Sequence, residues 1–144
     1  MKKLFYILLI VSTSALMTGC ASGPKYSQMK SSIPALTPDN GRIYFYRTAI
    51  IGAAIQPAVK LNSLEIGTAK PSGFFYADRS PGNYVVETST EVKRQLSLNL
   101  DTNQIRYVRL NLSMGFFVGH VYPELVENAV GEKEIANCSY TGSK

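Results

Sequence analysis

The sequence predicts an all-β domain, an antiparallel β-sandwich of seven to eight short strands. From Arg42 onward, apolar and polar residues alternate in several short segments, as they do in strands with one buried face. These segments follow one another closely, and no long segment with the 3.6-residue period of a helix separates them. At most one short helix is expected, near the C-terminus, where Asn128 would cap a turn or two although Gly131 weakens it.

The first predicted strand, RIYFYRT, presents two different faces. Ile43 and Phe45 lie on one face, which we expect to be the core face, and Tyr44 and Tyr46 lie on the other. Outward tyrosines are a candidate binding surface, because tyrosine has a flat apolar body and a polar tip. The alternative is that a second sheet or the N-terminal segment covers these rings.

The later segments predict hairpins and turns. AVKLNSLEIGTA is typical of a hairpin with its turn at Asn62-Ser63. Pro81-Gly82 has the residues of a type II turn, and a strand should start just after it. RQLSLNL and IRYVRLNLS both alternate, and we expect them to pair as an antiparallel hairpin. Their inward residues would be Leu96, Leu98, Leu100, Val108, Leu110 and Leu112.

Four segments together resemble a known bacterial family. They are GRIYFYR, KLNSLEIG, GFFYADRSPGNYVVE and SMGFFVGHVYPELV. In combination they resemble the family known as domain of unknown function 2846 (DUF2846), from about Asp39 to Ile135. The Pro-Gly-x-Tyr turn and strand also resemble units of prealbumin-like sandwiches. The resemblance implies a β-sandwich and a bacterial lipoprotein, and it implies no particular activity.

Residues 1–19 have the order of a bacterial export signal. Lys2 and Lys3 come first, an apolar stretch follows, and the small, weakly polar STSALMTG ends the segment. Counted from Leu4 to Leu16, the apolar part would extend about 20 Å as a helix, against roughly 30 Å for the hydrocarbon core of a bilayer. A permanent transmembrane helix is therefore not expected.

Cys20 stands where this signal should end. Met17-Thr18-Gly19-Cys20 resembles the lipobox of bacterial lipoproteins. The resemblance implies cleavage before Cys20, a diacylglyceryl group on its thiol and an acyl group, such as palmitate, on its new amino group. The alternative is a disulfide or an unmodified cysteine after ordinary signal cleavage. Ala21 follows, where an aspartate would be the usual mark for inner-membrane retention, so the outer membrane is expected.

The predicted organisation has four parts. Residues 1–19 are the signal peptide, 20–40 the lipidated cysteine and a flexible tether, 41–137 the sandwich domain, and 138–144 a C-terminal tail. Without Lys2 and Lys3, the chain keeps 13 basic against 10 acidic residues, a formal charge of +3. No cluster of basic residues is present in the remainder, so nucleic acid is not an expected partner.

Few residues suggest chemistry. His120 is the only histidine, and no zinc-binding cluster, phosphate loop or nucleophile elbow is recognisable. No catalytic residue, metal site or cofactor is therefore predicted, and His120 is expected to be a strand residue at a sandwich edge. In MGFFVGHVY, the consecutive Phe116, Phe117 and Val118 cannot all face one side of a strand. Phe116, Phe117 and His120 thus join Tyr44 and Tyr46 as the candidate binding surface, unless the phenylalanines are buried on both sides.

These observations favour a lipoprotein with a non-catalytic role. We expect a binding or assembly module held to the outer membrane by lipid on Cys20, facing the periplasm or the cell surface. Its partner would be an envelope protein or cell-wall material. The alternative is a small envelope hydrolase that acts on cell-wall material.

Overall fold

The computed structural model describes residues 19–115 and 119–142. Within these ranges, nine strands form two sheets that pack face to face, with two short helices beside them. The predicted β-sandwich is confirmed, with nine strands among the described residues where seven to eight were expected and with two parallel strand pairs where antiparallel pairing was expected throughout. The ninth strand has two residues, and one of the helices is a single turn near the N-terminus that the sequence pattern did not predict. No helix in the described part of the chain is long and apolar enough to cross a membrane.

The strands and helices follow one another in a simple order. The strands are β1 (Gly41–Arg47), β2 (Ala58–Leu61), β3 (Leu64–Thr68), β4 (Gly73–Arg79), β5 (Gly82–Ser89), β6 (Lys93–Leu100), β7 (Ile105–Met114), β8 (Gly119–Val126) and β9 (Ser139–Tyr140). The helical elements are α1 (Tyr26–Met29), a 3-10 turn (Lys30–Ser32) and α2 (Asn128–Ile135). The five-stranded sheet has the order β8-β7-β1-β4-β9, and the four-stranded sheet has the order β3-β2-β5-β6.

The main core lies between the two sheets. As predicted, Ile43 and Phe45 point into it and are fully buried, and the rings of Phe45 and Phe75 stack with 5.0 Å between their centroids. The predicted inward residues of β6 and β7 all contribute: Leu98, Leu100, Val108 and Leu110 are buried, and Leu96 and Leu112 are partly buried against the same cluster. Period-two alternation therefore assigned the core faces correctly.

The predicted hairpin between β6 and β7 is wrong. β6 pairs with β5 in the four-stranded sheet, whereas β7 pairs in parallel with β1 and antiparallel with β8 in the other sheet. The residues between them, 101–104, cross from one sheet to the other. Both arrangements point the leucines of these strands into one core, so alternation alone does not distinguish them.

One of the two predicted turns is confirmed. Asn62 and Ser63 connect β2 to β3, and both have a positive φ, 48° and 70°, as in hairpin turns that match the twist of their strands. The prediction of a type II turn at Pro81-Gly82 is wrong. Gly82 has a φ of +158°, far from the roughly +80° of that turn, and β5 already begins at Gly82.

A second apolar cluster covers the outer face of the five-stranded sheet. Tyr44 and Tyr46 of β1 pack there with Tyr26 of α1 and Ile135 of α2. The prediction of a flexible tether over residues 20–40 is therefore wrong for its first half. Tyr26 is buried, and its amide N donates to the Cys138 carbonyl at 2.9 Å. The C-terminal tail is likewise part of the fold, since β9 pairs with β4.

Helix α2 lies so close to the sheet that one of its residues has to be glycine. The helix spans the segment predicted for it, but Glu127 is its N-cap and Asn128 its first residue. A Cβ atom on Gly131 would lie 2.3 Å from Cγ of Tyr107. Gly131 thus lowers the helix propensity but permits the contact with the tyrosine ring.

Replacing Gly131 with alanine is expected to lower the free energy of unfolding by about 1–3 kcal/mol, the usual range for an overpacked site. In an open helix the same change would raise stability by about 1 kcal/mol, so the sign of the effect is the test. Denaturant unfolding of the variant beside the exposed-site control Val130→Ala measures it. A stabilised Gly131→Ala protein would contradict the close packing of α2 on Tyr107.

Candidate functional site

The tyrosines predicted as a binding surface are covered. Tyr44 is 4% exposed and Tyr46 is fully buried, so they do not form an open surface, and this part of the prediction is wrong. The covering elements are the N-terminal segment with its helix α1, which was one of the alternatives, and helix α2, which was not among them. The Tyr44 ring stacks on Tyr107 with 5.2 Å between their centroids. Burial raises the pKa of Tyr44 to about 12.

The hydroxyl of Tyr46 joins a polar network that holds α2 on the sheet. It donates to Oε2 of Glu134 at 2.6 Å, and burial together with this hydrogen bond raises its pKa. Arg109 bridges Glu134 and Glu124, with Nη1 and Nη2 each 2.8 Å from a carboxylate oxygen. The Arg109 hydrogen bond holds the pKa of Glu124 below its usual value. These polar groups are engaged with one another across β1, β7, β8 and α2.

Arg42 fastens the N-terminal segment to the same sheet. Its guanidinium donates to both oxygens of Asp78, at 2.6 and 2.7 Å, and to the Pro34 carbonyl at 2.9 Å. It also lies 4.5 Å from the centroid of the Tyr76 ring. The hydrogen bond to Asp78 raises the pKa of Arg42 further above its usual value. The ion pair with Asp78 fixes the guanidinium within the sheet, and the hydrogen bond to Pro34 then holds the segment in addition to apolar packing.

His120 lies on β8 and is half-buried. Its Nδ1 is 2.9 Å from Oγ1 of Thr90, which belongs to the connection between β5 and β6. Ser113, its partner across β7 and β8, lines a surface cleft of about 380 Å³. The cleft lies between the edges of the two sheets, and its walls are Arg94, Gln95, Ser113, Tyr122 and Pro123. It offers a guanidinium, an amide, a hydroxyl and an aromatic ring to a polar ligand.

Phe116 and Phe117, the other predicted members of the binding surface, lie outside the described residues. The structure therefore brings His120 next to an open cleft and separates it from the buried Tyr44 and Tyr46. Within residues 19–115 and 119–142, no three His, Cys, Asp or Glu side chains lie close enough together to hold a metal ion.

The two cysteines have opposite environments, and neither forms a disulfide. Cys20 is exposed. Cys138 is buried behind β1, where its Sγ is 3.7 Å from the Arg47 carbonyl oxygen, and burial raises the pKa of its thiol to about 12. Only Cys20 is thus open to modification in the folded chain.

Arg47 was not predicted to have any special role. It ends β1 and is fully buried. Its Nη1 donates to the carbonyls of Ile55 and Ala69 at 2.6 and 3.0 Å, and its Nη2 to those of Ile51 and Gly52 at 2.9 and 3.1 Å. Burial lowers its pKa. One guanidinium therefore fixes two loops, residues 48–57 and 69–72, against the end of the sandwich.

Comparison with known proteins assigns the chain to a family. The sequence profile of a family described as "Protein of unknown function (DUF2846)" matches residues 37–121, more than half of the chain. The chain belongs to the DUF2846 family. An uncharacterized protein of Haemophilus influenzae is 27% identical over 140 residues, which cover 94% of this chain and 83% of the relative.

The DUF2846 match covers only part of the structure. It extends from just before β1 into β8. Helices α1 and α2 and strand β9, which cover the tyrosine face, lie outside it, as does Cys20. In this DUF2846 protein, therefore, the matched residues build most of the two sheets, and the flanking residues add the rest of β8, strand β9 and much of the second apolar cluster.

Proposed function

We propose that this DUF2846 protein is a lipoprotein of the bacterial cell envelope that acts as a non-catalytic binding or assembly module. Lipid on Cys20 would anchor it to the outer membrane, with the domain facing the periplasm. The observation that carries the proposal is the position of Cys20. It is exposed, it directly follows a segment with the order of an export signal, and the amide of its neighbour Ala21 is hydrogen-bonded to the domain.

The contrast between the two cysteines supports this assignment. Lipid transfer to a thiol requires access, which Cys20 has and Cys138 lacks. Both cysteines are free thiols in this fold, one exposed and one buried. Ala21, in the place of an aspartate, favours the outer membrane over retention at the inner membrane.

The binding role is supported by the surface that the fold leaves open. The aromatic face of β1 is buried in the second apolar cluster, and Glu124 is hydrogen-bonded to Arg109. The cleft between Gln95 and Tyr122 remains accessible and presents polar and aromatic groups together. Such a cleft fits a polar partner, either an envelope protein or cell-wall material.

Replacing Cys20 with alanine is expected to move the protein from the membrane fraction to the soluble periplasmic fraction. Several acyl chains hold a protein stably on a membrane, whereas their loss leaves only weak surface contacts. Because Cys20 is exposed, the thermal melting temperature should not change. Cell fractionation after a salt wash, together with thermal melting of the purified protein, measures both effects.

The matched control is Cys138→Ala. This change removes a buried sulfur from the second apolar cluster, so it should lower the melting temperature and leave the protein in the membrane fraction. If the Cys20 variant still sediments with membranes after the salt wash, the anchor is elsewhere and the proposal fails.

A further inference from the structure

The lipidated cysteine would sit directly on the folded domain. The Ala21 amide N donates to the Pro71 carbonyl at 3.3 Å, and the Tyr140 amide N donates to the Pro24 carbonyl at 2.8 Å. Between these bonds, Gly23 lies so close to β9 that a Cβ there would be 2.1 Å from the Tyr140 carbonyl oxygen. A processed chain beginning at Cys20 would therefore carry its lipid on the residue directly before its first backbone contact with the domain.

Several loops meet at this end of the sandwich, which we call the Cys20 end. It comprises Cys20 and Ala21, the loops 48–57 and 69–72, and the β7 and β8 ends at Met114 and Gly119. Contacts join these parts: a Cβ on Gly52 would lie 2.7 Å from Cδ2 of Leu112, and one on Gly119 would lie 2.8 Å from Cδ1 of Ile55. Met114 and Gly119 are partners across β7 and β8.

Large apolar side chains are exposed at the Cys20 end. Ile50 is 64% exposed, Ile51 76% and Met114 74%. Leu64 has a similar exposure, 65%, but it follows the turn at the far end of β2, which runs away from the Cys20 end. Three of the four most exposed large apolar side chains in the described part of the chain thus share the end that carries Cys20.

The loop that carries Ile50 and Ile51 is held in a defined shape. Nη2 of the buried Arg47 donates hydrogen bonds to the carbonyl oxygens of Ile51 and Gly52, at 2.9 and 3.1 Å. Gly52 has a φ of +73°, a conformation that favours glycine, and it packs on Leu112. The backbone of the loop is therefore anchored inward, while the two isoleucine side chains point into the surroundings.

From this geometry we infer that Ile50, Ile51 and Met114 insert into the surface of the membrane that holds the Cys20 lipid. The inference rests on the proposed lipid anchor. Acyl chains on Cys20 would bring the bilayer to the end of the domain where these side chains lie. Exposed apolar side chains beside an anchor add to its membrane affinity and fix the orientation of the domain. The protein would then lie on the membrane through this end, with the opposite end, including Leu64, in water.

Spin labels on the full lipidated protein test this orientation. Ile51→Cys and its matched control Leu64→Cys each receive a nitroxide, and the protein is reconstituted in vesicles of phosphatidylethanolamine and phosphatidylglycerol. Both sites are exposed, so the melting temperature should stay unchanged. Cys138 should not react, because burial raises the pKa of its thiol to about 12. Accessibility to oxygen, which concentrates in lipid, and to a water-soluble nickel chelate is then measured, with the Cys20 modification checked by mass in the same samples.

We expect the label at position 51 to be more accessible to oxygen and several-fold less accessible to the nickel chelate than the label at 64. If Cys20 is lipidated but both labels are equally open to the chelate, the docking inference is wrong and the anchor stands. If position 51 is shielded from both reagents, a protein surface covers it, and the docking inference is again wrong. If Cys20 carries no lipid, the anchor fails, and the inference fails with it.

Discussion

Replacing Arg47 with alanine is expected to lower the free energy of unfolding by about 3–5 kcal/mol, because several carbonyl oxygens lose their hydrogen bonds to a buried charged donor. The change removes the guanidinium donor from the carbonyls of Ile51, Gly52, Ile55 and Ala69, of which Gly52 still accepts from the Ile55 amide. Each buried acceptor left without a partner costs about 1–3 kcal/mol unless water reaches it. The lost volume adds a cavity at the end of the main core. Urea unfolding monitored by circular dichroism measures the difference.

Two control variants separate the hydrogen bonds from the charge. Arg47→Lys keeps the charge but presents three donors on a single nitrogen, which cannot span four carbonyls in a fork, so an intermediate loss is expected. Arg94→Ala removes a guanidinium from an exposed site and should change stability by less than about 0.5 kcal/mol. A loss below about 1 kcal/mol in Arg47→Ala would mean that water replaces the guanidinium and that Arg47 does not hold the loops.

Replacing Leu98 with alanine is expected to lower the free energy of unfolding by about 2–5 kcal/mol. Leu98 lies in the middle of β6, opposite Tyr84, and is buried in the main core. Truncation removes buried apolar surface and leaves a cavity. The neighbouring residue supplies the control: Ser97 is exposed on the other face of the same strand, so Ser97→Ala should cost little. Similar losses at both positions would mean that the register of β6 is shifted by one residue.

The sequence was most informative where the signal is local. Alternation placed Ile43, Phe45, Leu98 and Leu110 on the core face, and all four are buried. The chain likewise turns at Asn62 and Ser63 as predicted, with Asn62 in the left-handed conformation that asparagine tolerates. Each of these inferences depends on neighbours within a few residues of the chain, which is the range over which side-chain alternation and turn geometry act.

Strand pairing could not be predicted in the same way. β1 pairs in parallel with β7, Tyr44 opposite Tyr107, across more than sixty residues of sequence. Nothing local to either strand specifies that partner, and the hairpin predicted between β6 and β7 would have buried the same leucines. The choice between the two depends on the packing of the whole sandwich, including α2 on the outer face of β7.

The N-terminal segment shows why composition misleads. Residues 20–40 are rich in small and polar residues, which is typical of a flexible linker. However, Tyr26 packs edge-on against Tyr44 and Phe74. Backbone hydrogen bonds also join residues 24–27 to β9 and to the residues just before it. A buried aromatic ring and hydrogen bonds to a strand edge hold this segment on the domain. The composition of the segment does not predict either contact, because the partner residues lie elsewhere in the sequence.

Residues that come together only in the fold, at the Arg47 site and at the Cys20 end, also could not be predicted from the sequence. Cys20 could be proposed as a lipidation site from sequence because the residues that resemble an export signal and its cleavage region are contiguous. Arg47, by contrast, is a single charged residue at the end of a strand, and its acceptors come from two separate loops. The exposed Ile50, Ile51 and Met114 also come from distant segments. Their common position at the Cys20 end follows only from the fold.

The most direct test of the proposed anchor is the mass of the mature N-terminus, measured on protein purified from the membranes of the bacterium that makes it. The proposal predicts an N-terminal peptide that begins at Cys20 and carries a diacylglyceryl thioether and an amide-linked acyl chain. A peptide that retains residues before Cys20, or that begins at Cys20 with an unmodified thiol and amino group, would contradict the account.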